Sequence, residues 1–368
     1  MKIAIDARFY GHENGGLGRY TMNLLRELSK IDHKNEYYLL LRKAYAGKLS
    51  LGENFHEVKV DSHHYSLSEQ ILVPLVLWRV KPDITHFLHF NVPIFFRGEF
   101  IVTIHDLLMH RGVGREATTL PEPIYKIKRL AYRLVFDNAV KSAQKILVPT
   151  EFVKNEVLDE YGVSPKKVFV TYEGVEEFEY KNIKSSKHEN YFLYVGNAYP
   201  HKNLEKAIEA IVYLNEVVKR KAKMIIVTPK SVFFERLENV VIQKGSEKYV
   251  ELLGKVSDTE LGSLYRNATA FLYSSLSEGF GLPALEAMSV GTPAIVSDIP
   301  VFHEVYGDNA FYFDPKNPQS IAERMNKILT MKQTERKNLS TSLIKFVKKY
   351  SWEKMARVTL ELYEGKKV

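Results

Sequence analysis

The 368-residue chain has no cysteine, only two tryptophans and no long hydrophobic run. The first absence excludes a disulfide framework, a thiolate zinc site and a cysteine nucleophile, and it fits a reducing compartment. The longest mostly apolar stretch, Gln70 to Val80, falls far short of the ~20 residues that cross a bilayer and is interrupted by Pro74, which argues against an integral membrane span. No basic segment followed by an apolar one precedes the first strand-like run, Ile3-Ala4-Ile5, so the expected location is the cytoplasm. Chemistry in such a chain has to come from Glu, Asp, His, Lys and backbone N–H groups.

With 45% hydrophobic and 26% charged residues the composition is that of a folded protein, and the length suggests two packed domains. Lys and Arg number 52 against 44 Asp and Glu, giving a formal charge of +8 that favours an anionic partner. The surplus is uneven: residues 1–180 hold 24 basic and 23 acidic side chains, and residues 181–368 hold 28 and 21. Much of it lies between Arg324 and Lys349, a stretch that reads first as solvated helix faces. A nucleic-acid binder would interleave aromatic and basic residues on one surface. Here 22 Tyr and 20 Phe are spread through strands and helices, so no nucleic-acid partner is expected.

Strand-like runs at Ile3–Ile5, Tyr37–Leu41, Ile84–Leu88, Ile101–Ile104, Ile146–Val148 and Val168–Val170 alternate with longer amphipathic stretches, the rhythm of parallel βαβ units. Residues 173–190 are polar and aperiodic and read as a linker. A second series follows at Tyr191–Val195, Met224–Thr228, Val250–Leu253, Ala270–Tyr273, Ala294–Val296 and Ala310–Phe313. The pattern predicts an α/β chain of two doubly wound, Rossmann-like domains, residues 1–175 and 191–348, with a linker at 176–190 and a final segment at 349–368.

The most informative segment is Ser277-Glu278-Gly279-Phe280-Gly281-Leu282-Pro283-Ala284-Leu285-Glu286, directly after the run Phe271-Leu272-Tyr273. It reads as strand, glycine loop, helix. Pro283 suits a first helical turn, and Gly279 and Gly281 permit close backbone approach to a ligand at the helix's positive end. Glu278 in the loop and Glu286 within the helix are two acceptors for the hydroxyls of one extended ligand. A second cluster, Gly15-Gly16-Leu17-Gly18-Arg19-Tyr20, lies between the first strand and the amphipathic run Tyr20–Leu28, where a doubly wound domain presents a phosphate-binding turn. Its spacing is not that of the dinucleotide fingerprint, and alone it reads equally as a flexible turn. His105 ends the strand Ile101–Ile104 at the carboxyl edge where ligands bind in open α/β sheets, as either a site residue or a structural one. Lys202, just ahead of a helix beginning at Leu204, can neutralise a diphosphate or simply lie in solvent.

Together these segments resemble the retaining nucleotide-sugar glycosyltransferases of family four, whose two-domain architecture is called GT-B. Glu278 to Glu286 matches that family's Glu-x7-Glu motif with its glycines and proline, and the Gly15–Tyr20, Ile104–Asp106, Val195–Asn203, Gly254–Asp258 and Glu278–Glu286 segments stand in the family's order. The resemblance implies that Glu278 and the backbone at Gly279, Phe280, Gly281 and Leu282 hold the donor sugar and its phosphate. It assigns Glu286 to the ribose hydroxyls, Lys202 to the diphosphate and the backbone near Val256 to the base. His105 would contact the donor sugar, with His105 and Glu278 as the catalytic pair, and Gly15 and Gly16 would lie against the diphosphate. Many members carry arginine at the donor-binding position where Asn197 stands, and His201 or Arg266 would have to compensate. The implied reaction is transfer with retention, without a side-chain nucleophile, a metal or any cofactor beyond the nucleotide-sugar co-substrate. It also implies that the final helix crosses back to the first domain and that the ligands meet in an interdomain cleft.

The first-domain pattern looks like that of bacterial mannosyltransferases of surface-polysaccharide synthesis, so GDP-mannose leads UDP- and dTDP-sugars as the expected donor, with a glycan or lipid-linked glycan as acceptor. A GT-B sugar-nucleotide 2-epimerase is the competing enzyme class, although it lacks this form of the Glu-x7-Glu segment. Acceptor contacts are expected from Arg19, Tyr20 and the loop Leu108–Pro123. Residues 124–145 carry six basic side chains and one acidic one; Ile127, Leu130, Ala131 and Leu134 share one helical face, while Arg129, Arg133 and Lys141 line another. Such a helix either packs its apolar face on the core or rests peripherally on the anionic inner face of the cell membrane.

Overall fold

The computed structural model describes residues 1–110, 118, 120–176 and 190–366. The chain forms two compact units, one of Met1–Gly174 with Ser351–Val368 and the other of Val175–Tyr350. It therefore passes from one to the other at Gly174–Val175 and returns at Tyr350–Ser351. Of the expected linker, residues 177–189 lie outside the described residues, as do 111–117 and 119 of the loop expected to meet the acceptor.

The first unit runs β1 (Lys2–Asp6), α1 (Gly15–Ile31), β2 (Glu36–Leu41), β3 (Phe55–Lys59), α2 (Leu67–Val80), β4 (Ile84–Phe87), β5 (Phe100–Thr103), α3 (Glu122–Ser142), β6 (Lys145–Val148), α4 (Glu151–Tyr161) and β7 (Val168–Val170). Its seven strands are ordered β3-β2-β1-β4-β5-β6-β7, every neighbour parallel. The direction of winding reverses beside β1, so the crevice at its carboxyl end lies between β1 and β4. Both faces of the central strands are covered, which is why β4 and β5 are buried at every position. The edge strand β3 is half exposed and polar, Phe-His-Glu-Val-Lys, and for that reason gives no clear strand signal in the sequence.

The second unit runs β8 (Tyr191–Val195), α5 (Leu204–Glu216), β9 (Lys223–Val227), α6 (Val232–Gln243), β10 (Val250–Leu253), α7 (Asp258–Asn267), β11 (Ala270–Tyr273), α8 (Leu282–Ser289), β12 (Ala294–Ser297), α9 (Pro300–Tyr306), β13 (Phe311–Phe313), α10 (Pro318–Leu329) and α11 (Gln333–Val347). Its six parallel strands are ordered β10-β9-β8-β11-β12-β13, with the reversal between β8 and β11. The last helix, α12 (Trp352–Tyr363), belongs to the first unit and packs along α1, so the expected return crossing is present. Ser351 caps it through Lys354 N–H at 3.4 Å, and Trp352 is buried.

Below the crevice of the first unit lies a buried ionic knot. The Arg8 guanidinium donates to both Asp6 oxygens at 2.7 and 2.6 Å, to Glu69 at 2.6 Å and to Ser62 at 3.1 Å, and Asn91 donates to both Glu69 oxygens at 2.6 and 2.7 Å. It ties the end of β1 to the start of α2 and the loop after β4.

Helix α3 does not pack as a core-facing amphipath. Its core contact comes from Phe136, Ala139 and Val140 near its C-terminus, while Ile127, Leu130 and Leu134 are 70%, 62% and 55% exposed. The core-facing alternative for Ile127, Leu130 and Leu134 is thereby overturned. A second apolar stripe that the sequence does not advertise, Leu67, Ile71, Leu75 and Trp78, is exposed along α2. Among the described residues no helix is long and apolar enough to cross a membrane.

Candidate active site

In the second unit the loops after β8 and β11, at the strand reversal, are stitched together. Leu276 N–H donates to His201 O at 2.8 Å, and Ser274 Oγ donates to Lys202 O at 2.8 Å. These bonds bring together two residues 76 positions apart: Lys202 Nζ donates to Glu278 Oε1 at 2.5 Å, with Nζ also 5.6 Å from the centre of the Tyr273 ring. Both side chains are mostly buried. Burial by itself would raise the Glu278 carboxyl, but the adjacent Lys202 ammonium and its hydrogen bond override this and hold it below its ordinary value.

Helix α8 starts two residues beyond Gly279–Phe280. Unlike α4, α6 and α7, which Thr150, Ser231 and Ser257 cap, it has no side-chain cap; Gly281 stands at its N-cap with φ +112°. Only glycine fits there, because a Cβ would stand 2.1 Å from Tyr306 Oη, which donates to Gly281 O at 2.6 Å. Phe280 is buried edge-on against Tyr350, and Leu282 is buried, so this loop offers backbone rather than side chains. Glu286, one turn into α8, is 3% exposed and accepts from Tyr265 Oη at 2.7 Å. Val256 lies half-buried beyond the end of β10, and a Cβ at nearby Gly254 would stand 3.8 Å from Lys230 Cε.

Neither residue named to replace the missing arginine supplies a second positive charge at this point. Burial, with Lys202 beside it, pushes His201 down to about 4, so the ring is neutral at pH 7. The Arg266 guanidinium donates to Val290 O, and both residues lie where α7 and α8 lead back to the amino ends of β11 and β12, the opposite edge of the sheet. Asn197 is exposed, and its carbonyl takes the Tyr194 hydroxyl at 2.8 Å.

In the first unit the Gly15–Gly18 cluster is the opening turn of α1, not a loop ahead of it. Gly18 is there for packing, since a Cβ would stand 1.9 Å from Gly11 O. A Cβ would meet nothing within 4 Å at either Gly15 or Gly16; Gly15 is accounted for by its φ of +58°, whereas no internal contact or backbone angle explains glycine at Gly16. The Asn14 side chain turns back to Phe9 O and Tyr10 O at 2.9 and 3.2 Å and does not cap the helix.

His105 follows β5, half-buried. Nε2 is 3.0 Å from Leu88 O and Nδ1 is 3.4 Å from Glu173 Oε1. Both partners are acceptors, and together they fix the plane in which the ring lies. Tyr20 lies edge-on to His105 with centroids 4.7 Å apart, is 2% exposed, and bonds Thr103 Oγ1 at 3.3 Å. It therefore supports His105 and does not face an acceptor; Arg19 beside it is half-buried. Sequence reasoning missed Glu173, Tyr265 and Ser274, whose parts depend on long-range contacts that leave no local pattern.

Comparison with known proteins identifies the family. Residues 175–349 match the model described as glycosyl transferases group 1, and residues 14–177 match glycosyltransferase family 4. An O-antigen chain mannosyltransferase of Salmonella typhimurium is 33% identical over 236 residues, which is 63% of this chain and 61% of that protein, less than two thirds of its length. The O-antigen chain mannosyltransferase B of Escherichia coli is 23% identical across 99% of this chain and 100% of its own. Among solved structures, sucrose-phosphate synthase of Thermosynechococcus elongatus superposes with a TM-score of 0.78 at 17% identity, covering 99% of this chain and 98% of its own. WaaG, a glycosyltransferase involved in lipopolysaccharide biosynthesis, gives 0.76 at 14% identity over 98% and 99%. Two family models that between them span residues 14–349, on two parallel-sheet units with such neighbours, establish the chain as a member of the family-four glycosyltransferases with the GT-B fold.

Proposed function

We propose that the chain is a retaining mannosyltransferase of bacterial surface-polysaccharide synthesis, with GDP-mannose as donor and a glycan or lipid-linked glycan as acceptor, working at the cytoplasmic face of the membrane. The observation that carries the donor half is the Lys202–Glu278 pair held by the stitched loops in front of the uncapped start of α8. A diphosphate there meets an ammonium already positioned and backbone N–H groups whose cost of ordering has been met by the fold. Glu278 orients Lys202 before the donor arrives and accepts a sugar hydroxyl afterwards. Glu286 takes the ribose, its carboxylate steadied by Tyr265. Gly15 and Gly16 keep open the space before α1 for the phosphates, and His105, its ring fixed between Leu88 O and Glu173, contacts the donor sugar. With charge stabilisation from Lys202 and N–H dipoles, the reaction proceeds without a metal, and the departing phosphate receives the acceptor's proton.

The mannosyl and O-antigen relatives support the choice of sugar and pathway. The outward stripe of α3, flanked by Lys126, Lys128 and Arg133, supports peripheral contact with anionic lipid. A thermal-shift panel of GDP-, UDP- and dTDP-sugars tests the donor, with GDP-mannose expected to raise the melting temperature most. Turnover that persists in excess chelator and an α-linked product from the α-configured donor, seen by NMR, are the expected outcomes. A β-linked product, or epimerised nucleotide sugar without transfer, would remove this reading.

A further inference from the structure

Two passages of the chain hold His105, and neither belongs to the sheet that carries it. On the outgoing passage, Glu173 is 7% exposed with its carboxylate on His105 Nδ1, one residue before Gly174 ends the unit. On the return, Trp352 lies edge-on to Tyr20 at 6.2 Å, and Tyr20 in turn lies edge-on to His105. The two passages are packed backbone against backbone, since a Cβ on Gly174 would stand 2.1 Å from Trp352 N. A buried chain of hydrogen bonds completes the support: Tyr363 on α12 to His86 Nδ1 at 2.6 Å, His86 Nε2 to Thr103 Oγ1 at 2.8 Å, and Thr103 to Tyr20 at 3.3 Å.

We infer that Glu173 is a positioning residue for His105, fixing the ring's orientation from the point where the chain leaves the unit. The inference rests on the reading of His105 as a group that acts on the donor. The remaining bond of the ring, to Leu88 O, is a single contact about which an unrestrained imidazole can still tilt, so the second anchor on Nδ1 determines where the ring edge points. A misplacement on the ångström scale at a reacting centre costs on the order of 10²-fold in rate.

The test uses the full chain with Glu173→Ala, Glu173→Gln, His105→Ala and the Glu173→Ala/His105→Ala double variant, following GDP release from GDP-mannose with water as acceptor. Glu173→Ala is expected to lower kcat by about 10²-fold with KM changed less than about threefold, and Glu173→Gln, which keeps an oxygen toward the ring, to recover part of the loss. In the His105→Ala background the same change is expected to cost less than about twofold, because its target is gone. Equal losses in both backgrounds overturn the inference. The ring ¹⁵N shifts of His105 in the free protein, expected to move in Glu173→Gln, are independent of any donor. If His105→Ala turns over normally, or GDP-mannose is inert, the functional reading fails while these shifts still decide whether Glu173 sets the ring; unchanged shifts refute it.

Discussion

Replacing Lys202 by Met keeps the side chain's length and apolar stem and removes only the charge that faces Glu278. Glu278 is 9% exposed and its carboxylate lies 2.5 Å from the ammonium, so the substitution leaves a buried charge without its partner. Breaking a buried pair in this way costs about 3–5 kcal/mol, and the residual access of both side chains favours the lower figure, about 3 kcal/mol. For a unit of this size each kcal/mol lowers the melting temperature by roughly 2–4 °C, so the transition of the second unit should fall by roughly 6–12 °C at pH 7. The loss should depend on pH in a defined direction. In the wild-type protein Glu278 titrates below its ordinary 4.5, so its contribution is full above that pH and disappears as the pH falls through the lower folded value. Without Lys202 burial is the main influence left, and the carboxyl titrates above 4.5; the variant is then nearly as stable as the parent in acid and loses ground as pH rises through the raised value. Calorimetric scans of both proteins without donor, from pH 4 to 8, measure this. A deficit of the same size at pH 4 and pH 7, or one below about 1 kcal/mol at pH 7, would refute the reasoning.

Three further outcomes follow from the geometry. Arg8→Met strands the buried carboxylates of Asp6 and Glu69 and should destabilise the first unit by about 3–5 kcal/mol in denaturant melts, more than any exposed Arg→Met control. Gly281→Ala forces a Cβ onto Tyr306 Oη at a positive φ and should cost at least about 1–3 kcal/mol, whereas Gly16→Ala, which meets no atom within 4 Å, should leave the melting temperature unchanged and weaken GDP-mannose binding in calorimetric titrations. Tyr265→Phe removes one hydrogen bond from the Glu286 carboxylate and should raise the KM for donor with a smaller change in kcat, while Glu286→Ala should abolish measurable donor binding.

The sequence determined a good deal by itself. Twelve of the thirteen described strands overlap runs of apolar and β-branched residues long enough to be read one by one, with ends that agree to within a residue, since a parallel strand covered on both faces must be apolar at nearly every position. Edge strand β3 escaped because water on one side relaxes that demand. The strand, loop and helix around Glu278–Glu286 were legible because glycine spacing and Pro283 are constraints on local backbone. The extent of α1 was misjudged, because glycines penalise a helix by propensity and yet the packing of Gly18 on Gly11 places them inside one.

Tertiary structure alone decided which partners these residues keep. No local signal links Lys202 to Glu278 across 76 positions or His105 to Glu173 across 68, because hydrogen bonds of this kind depend on strand order and not on spacing along the chain. It also decided the faces of α2 and α3: periodicity says that a helix has an apolar stripe, but only the burial of Phe136 and Ala139 by the sheet shows that the stripe through Ile127, Leu130 and Leu134 looks outward. The same holds for charge. Composition supplies the excess of lysine and arginine, while packing neutralises His201, sends Arg266 to the far edge of its sheet and holds Lys202 beside Glu278, because the charge a surface presents depends on burial and direction, which only the fold assigns.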